Sequence, residues 1–190
     1  MISTIILIGP LGAGKTTVGQ LLAEKLELPF CSIDVVRAAY YQQIGYDDTL
    51  ASQIAASALG LQGVLHYSKP FEVQMVERIL ADHHGIIDFG ASNSVYDDKE
   101  LFARVENALA PYLNVVLLLP SPDLDESVEI LQDRLTQMLT EAGKDYSDKL
   151  FELNRYFVMH PSNQQLAKRV IYTKDKTPEK ICDEIVQKLI

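Results

Sequence analysis

Basic residues are scarce in this chain, where 17 Lys and Arg stand against 26 Asp and Glu for a net charge of −9. The few cations are scattered, which excludes a sequence-independent grip on nucleic acid or on an anionic membrane, since both need clustered Lys and Arg to neutralise phosphates. Cysteine is almost missing. Cys31 and Cys182 are too far apart to suggest a disulfide framework and read as reduced thiols. Long hydrophobic runs are missing too. The first apolar stretch, Ile5 to Ile8, falls far short of a signal sequence or a span of about 20 residues, and a glycine turn follows it at once. The expectation is a cytoplasmic protein with no membrane segment and no nucleic-acid partner; oligomeric state is not legible.

With 47% hydrophobic and 23% charged residues, no internal repeat and a length of 190, residues 1–190 are expected to form a single domain. Thr4 to Ile8 is a β-branched run ended by Gly9 and Pro10, the pattern of a strand buried on both faces. Val18, Leu21, Leu22 and Leu26 then recur at helical spacing. Phe30 to Ile33 reads as a second strand, Asp34 opens a helical pattern, and residues 47–68 form a weaker one broken at Gly60 and Gly63. Pro70 restarts a helix, residues 85–88 make a third strand, residues 101–109 a helix and Val115 to Leu119 a fourth strand. Asp123 and Glu126 make an N-cap and capping-box acid for a helix carrying Val128, Leu131, Leu135 and Met138. Residues 141–165 are the least regular stretch and suit a lid. Val170 to Tyr172 is a fifth strand, and Thr177-Pro178 caps a last helix. Strands alternating with helices throughout predict an α/β sandwich on a mostly parallel sheet, with ligands at the carboxyl ends of its strands.

One motif carries chemistry of its own. Residues 9–16, Gly-Pro-Leu-Gly-Ala-Gly-Lys-Thr, satisfy G-x-x-x-x-G-K-S/T directly after a strand and before a helix. Gly9, Gly12, Ala13 and Gly14 leave main-chain N–H groups free to wrap a nucleotide phosphate, and the helix N-terminus adds partial positive charge. Lys15 is expected to reach the β- and γ-phosphates of ATP, Thr16 to ligate Mg2+ and Thr17 to touch the α-phosphate. Asp88, ending the third strand in Asp88-Phe89-Gly90, can hold a metal-bound water, and Gly90 lets the backbone approach the transferred group. Asp34 can orient or deprotonate an acceptor hydroxyl, although a plain helix N-cap explains it as well. Arg37, one turn on, can hold an anionic group of the acceptor. Tyr40, Tyr41 and Tyr46 either line an acceptor pocket or pack. Arg134 and Pro178 can bound an adenine. Lys144, Lys149 and Arg155 are the cations a lid could contribute. His66, His83, His84 and His160 match no zinc spacing, and the adjacent pair would point to different faces of a helix.

The order of motifs resembles the nucleoside monophosphate kinase-like branch of P-loop kinases, and within it the shikimate kinase family. The resemblance rests on residues 9–19, Leu-Ala-Glu-Lys-Leu at 22–26, Pro29-Phe30, Asp34 and Thr-Pro-Glu-Lys-Ile at 177–181. It implies a three-layer α/β/α P-loop NTPase fold with a five-stranded parallel sheet in order 2-3-1-4-5. A substrate-binding segment at about 34–70 and a lid at about 141–165 are implied as well. The implied activity is ATP- and Mg-dependent transfer of the γ-phosphate to a small-molecule acceptor. This sequence has Ser32-Ile33-Asp34 where the family has Asp-x-Asp, and Asp88-Phe89-Gly90 where it has three glycines. It lacks the Arg-Pro-Leu-Leu lid motif and offers His160 at the position of an acceptor-binding arginine. The acceptor stays open: a polyol acid, a nucleotide or something unrelated. An ATP-binding regulatory module, or an NTPase without transfer, is the alternative reading.

Overall fold

The apolar run after Thr4 forms strand β1 (Ile5–Ile8), whose four side chains are fully buried. In the computed structural model, which describes residues 4–144 and 148–189, β3 (Ile86–Asp88) and β4 (Asn114–Leu119) flank β1. Outside them lie β2 (Phe30–Ser32) against β3 and β5 (Arg169–Tyr172) against β4, giving a parallel sheet in the order β2-β3-β1-β4-β5. Successive residues of a strand point to opposite faces, so β1 divides between two cores. Ile6 and Ile8 pack with Val73, Val76 and Ile79 of α4 (Gly60–Asp82) and with Val105 and Leu109 of α5 (Lys99–Leu109). Ile5 and Leu7 pack with Val18 and Leu22 of α1 (Lys15–Leu26), Leu131 of α6 (Leu124–Glu141) and Ile181 and Ile185 of α9 (Pro178–Gln187). The result is the expected α/β/α sandwich. No helix among the described residues is long and apolar enough to cross a membrane.

The helices depart from sequence expectation in instructive places. α2 (Ile33–Gln43) starts one residue early with Ser32 as its N-cap, so Asp34 lies within the first turn and is not the cap. Its carboxylate is therefore left for another task. After α3 (Asp48–Ala56), α4 runs unbroken through Gly63 and Pro70. At Gly63 an added Cβ would lie 2.7 Å from Ile54 Cγ2 and 2.5 Å from Leu59 Cβ, so that glycine serves close packing rather than ending a helix. Pro70 forgoes one helical hydrogen bond, but packing on either side holds the helix. Tyr67 and Phe71 stand 5.1 and 5.2 Å from the Tyr46 ring, and Lys69 bonds Glu72 (2.8 Å) and the Ser92 carbonyl (2.6 Å).

Residues 141–165 are mostly helical, not irregular. α6 continues to Glu141, and α7 (Asp148–Met159) and α8 (Ser162–Leu166) follow, while residues 145–147 of the expected lid lie outside the described residues. α7 gains its order by burying Leu153, Phe157 and Val158, a short apolar stripe hidden among polar residues. Asp123 caps α6 as expected, accepting from Asp125 and Glu126 N–H, but Glu126 bonds Lys174 Nζ (2.5 Å) and does not close a capping box. Thr177 caps α9 with Pro178 behind it. His83 and His84 follow the end of α4 and are not on a helix; His83 Nε2 lies 3.1 Å from the Tyr40 hydroxyl.

Candidate active site

The loop between β1 and α1 turns left-handed at Gly9, Gly12 and Gly14, with φ of 139°, 74° and 90°. At Gly9 only glycine fits, because a Cβ would sit 2.6 Å from the Leu118 carbonyl oxygen of β4. α1 then begins with no side-chain cap and no acidic residue in its first turn. Its leading N–H groups lack intrahelical partners, and the helix dipole concentrates positive charge there. Such an end is a ready anion site.

Three predicted residues meet at this point. Lys15 is buried, its ammonium donating to the Pro10 carbonyl at 2.9 Å. Thr16 Oγ1 donates to Asp88 Oδ2 at 2.7 Å, so the third strand delivers its terminal carboxylate to the start of α1. Asp88 is 3% exposed, and its second oxygen, Oδ1, has no partner in the protein. Burial pushes the Asp88 carboxyl above its ordinary range, opposed by the Thr16 bond and the Lys15 charge; burial pushes the Lys15 ammonium down, opposed by Asp88 and Asp34. Each charge thus offsets part of the other's desolvation. Beside the loop, Gly14, Thr17, Arg134 and Pro178 line one cavity of about 220 Å3. Arg134 Nη1 is 3.4 Å from both the Gly12 carbonyl and Thr173 Oγ1.

Asp34, Arg37 and Gly90 come together as well. Arg37 Nη2 donates to Asp34 Oδ1, and the Asp34 side chain remains 60% exposed. A Cβ placed on Gly90 would lie 2.6 Å from Asp34 Oδ1, 2.8 Å from Arg37 Nη2 and 2.7 Å from Asn93 Oδ1. Gly90 is therefore the floor on which the three polar ends converge. Tyr40 and Tyr41 are buried and Tyr41 stacks on Tyr46 at 4.3 Å, so these rings pack with the core that holds Ile6 and Ile8.

The three anticipated lid cations have these surroundings. Arg155 pairs with Asp125 at 3.2 Å, Lys149 borders a crevice beside Leu59 and Leu61, and Lys144 is exposed. What reaches the loop from α7 is a neutral residue missed by the sequence reading. Asn154 Oδ1 accepts from Leu11 N–H (2.8 Å) and its Nδ2 donates to the Leu11 carbonyl (3.2 Å). Nothing in its sequence neighbourhood announces that contact. Asn93 was missed too, although a polar Ser-Asn-Ser run just past a strand end on the ligand rim is a usable signal. Among the described residues no three His, Cys, Asp or Glu side chains are grouped to hold a metal. Magnesium does not require such a cage, since it keeps waters and phosphate oxygens and takes one or two protein ligands.

A family model described as shikimate kinase matches residues 11–44, the loop through α2. A shikimate kinase of Enterococcus faecalis is 26% identical over 189 residues, spanning 98% of both chains. Among solved structures, shikimate kinase from Acinetobacter baumannii in complex with shikimate superimposes with a TM-score of 0.66 at 21% identity, covering 98% of this chain and 92% of that one. A gluconokinase from Sinorhizobium meliloti gives a TM-score of 0.57 at 15% identity, over 97% and 89%. The two structures share the fold, and the curated relative adds similarity along the whole sequence. The chain is thus similar to shikimate kinases along its whole length and has their fold, and the stretch matched by the family model takes in most of the phosphate loop and α1.

Proposed function

We propose that this enzyme transfers the γ-phosphate of Mg·ATP to a hydroxyl of a small polyol or polyol acid. The observation that carries the reading is the meeting of Asp34, Arg37 and Gly90 on the same rim as Lys15 and Asp88. A plain NTPase has no use for an exposed carboxylate, held by a guanidinium, facing a bare patch of backbone. A regulatory nucleotide binder has none either.

The donor is held by the loop amides of Gly9, Gly12, Ala13 and Gly14, with Lys15 on the β- and γ-phosphates and Thr17 on the α-phosphate. Arg134 and Pro178 bound the base from two sides of their shared cavity. The unpaired, buried Asp88 Oδ1 beside the Thr16 hydroxyl suits a divalent cation and its waters. Magnesium bound there supplies neutralisation of the charge on the transferred group. Asp34 orients the acceptor hydroxyl and receives its proton as the bond from hydroxyl oxygen to γ-phosphorus forms and the bond to the ADP oxygen breaks. Arg37 fixes the Asp34 rotamer and adds a donor for the acceptor, and Gly90 lets both substrates approach. The single domain 1–190 would carry its acceptor segment at about 34–70 and its lid at about 141–165. Buried, unpaired Cys31 and Cys182 suit the reducing cytoplasm.

The relatives act on shikimate and, for the gluconokinase, gluconate, so both head the acceptor panel. Incubation with γ-labelled ATP and Mg2+ is expected to move label onto one acceptor of a polyol-acid panel. Label recovered only as inorganic phosphate, whatever the acceptor, would contradict the proposal.

A further inference from the structure

A cavity of about 340 Å3, larger than the one beside the phosphate loop, is lined by none of the residues that hold the donor, the metal or the acceptor hydroxyl in the mechanism above. It lies between α4, the start of α5 and α7. The rings of Tyr96, Tyr156 and Phe157 and the aliphatic surface of Leu65, Pro70 and Leu101 make much of its wall. Asp97 stands where it opens to solvent, with its side chain 81% exposed. The wall is pinned from behind. Tyr96 donates its N–H to Ser162 Oγ (3.3 Å) and its hydroxyl to the Asn93 carbonyl (2.9 Å), and the Phe157 carbonyl accepts from Asn163 Nδ2 (2.8 Å). A preformed hollow of this size, largely apolar with a few fixed polar groups, has the usual form of a small-molecule site.

The charges on that wall sort the ligands it can take. Lys69 is its permanent cation, but Glu72 pairs with it at 2.8 Å and the Ser92 carbonyl accepts from it at 2.6 Å. α5 begins here, yet Asp98 Oδ1 accepts from the N–H groups of Glu100 (2.8 Å) and Leu101 (3.0 Å), so the first turn of that helix offers little to an anion. Asp97 is different. Its Oδ2 accepts from the Tyr156 hydroxyl (2.6 Å), and its Oδ1 lies 3.1 Å from His160 Nε2. Ser162 N–H donates to His160 Nδ1 (3.2 Å), so Nε2 carries the ring's single proton and donates it to Asp97. The Tyr156 bond above all holds the Asp97 carboxyl below its ordinary range. A carboxylate is thus fixed in one orientation by two neutral donors beside aromatic rings, and among the described residues no Lys or Arg pairs with it.

An ammonium answers both features. It donates to a carboxylate in a charge-assisted hydrogen bond and is attracted to ring faces within about 6 Å. Lys69 Nζ already shows such a contact, 4.8 Å from the centroid of the Tyr96 ring. A carboxylate or phosphate would instead meet Asp97 with no uncommitted cation to offset the repulsion. We propose that this cavity is a second ligand site, for a small organic ammonium on an apolar body, with its N–H groups on Asp97 and its body among Tyr96, Tyr156 and Phe157. The site does not depend on phosphotransfer.

The test uses the whole chain, isotope-labelled for NMR, and three probes of similar shape near neutral pH: phenethylammonium, neutral 2-phenylethanol and the phenylacetate anion. Amide shifts are followed in saturating Mg·AMP-PNP, which keeps the probes out of the nucleotide cavity. Phenethylammonium is expected to shift the amides of residues 96–98 and 156–157 and to bind at least about fivefold more tightly than either comparator. Asp97→Asn keeps the shape and removes the charge, so it is expected to erase that preference while leaving Mg·ATP affinity unchanged. Asp34→Asn is expected to leave the preference intact. Equal affinity for the three probes, shifts confined to other residues, a preference that survives Asp97→Asn or one that is lost in Asp34→Asn would each overturn the proposal. Should label from ATP reach free phosphate only while the ammonium preference holds, phosphotransfer fails and this site stands, so the two readings fail separately.

Discussion

The donor side and the acceptor side of this site are built on different principles. At the proposed donor side the loop presents backbone N–H groups, and the charged side chains are partly engaged, Lys15 with the Pro10 carbonyl and Asp88 Oδ2 with Thr16 while Asp88 Oδ1 is unpaired. At the proposed acceptor side the polar groups are side chains: Arg37 and Asp34 bond each other, and Arg37 Nε and both ends of Asn93 have no partner in the protein. A seat made of main chain suits a ligand that never changes, whereas a seat made of side chains can be respecified by a few substitutions. The acceptor side is where this sequence leaves the pattern it resembles.

Attacks on the acceptor side should cost turnover and spare the nucleotide. Asp34→Asn keeps the shape and removes the proton acceptor, so transfer is expected to fall by about 10^2 to 10^4 with the KM for ATP unchanged, as read in a coupled ADP assay. Gly90→Ala drives a methyl into Asp34, Arg37 and Asn93. Misplacing reacting groups by about 1 Å costs on the order of 10^2 in rate, and the same assay should place that loss on the acceptor.

The donor side yields to a different substitution. Asn154→Ala strips the Leu11 amide and carbonyl of their α7 partner. It is expected to destabilise the chain by about 1–3 kcal/mol in urea unfolding and to weaken Mg·ATP binding. A smaller effect belongs to Asp88. Its folded-state carboxyl titrates above the ordinary range because it is buried, so the folded chain holds this proton more tightly than the unfolded one. Stability therefore falls as pH rises from the ordinary carboxylate range through the raised value. Asp88→Asn keeps an acceptor for Thr16 and removes that slope. Without ligand it should melt above wild type near neutral pH and together with it below about pH 4; a variant that melts lower throughout would show that the charge is not strained.

Legibility in the sequence followed the same division. β1, the glycine loop and α1 are local, since each residue's role follows from its immediate neighbours, and the sheet order came with the resemblance these residues carry. Asp34, Arg37 and Asp88 were legible because strand ends share a rim. Pro70 was misread because a local helix breaker is outweighed by Tyr67, Phe71 and Lys69 contacts to distant residues. Asn154 was not legible, because the sequence does not say which polar residue of α7 meets the phosphate loop once Leu153, Phe157 and Val158 are buried. Asn93 was passed over although its Ser-Asn-Ser run past a strand end was a signal, because its lack of a partner is a fact of three-dimensional surroundings.

The division of labour is tested most directly by titrating Mg·ATP calorimetrically into wild type, Asp34→Asn and Lys15→Ala. Wild-type affinity in Asp34→Asn, with affinity reduced at least about tenfold in Lys15→Ala, is the expected result. Nucleotide binding that survives unchanged in Lys15→Ala, or that falls equally in both variants, would contradict it.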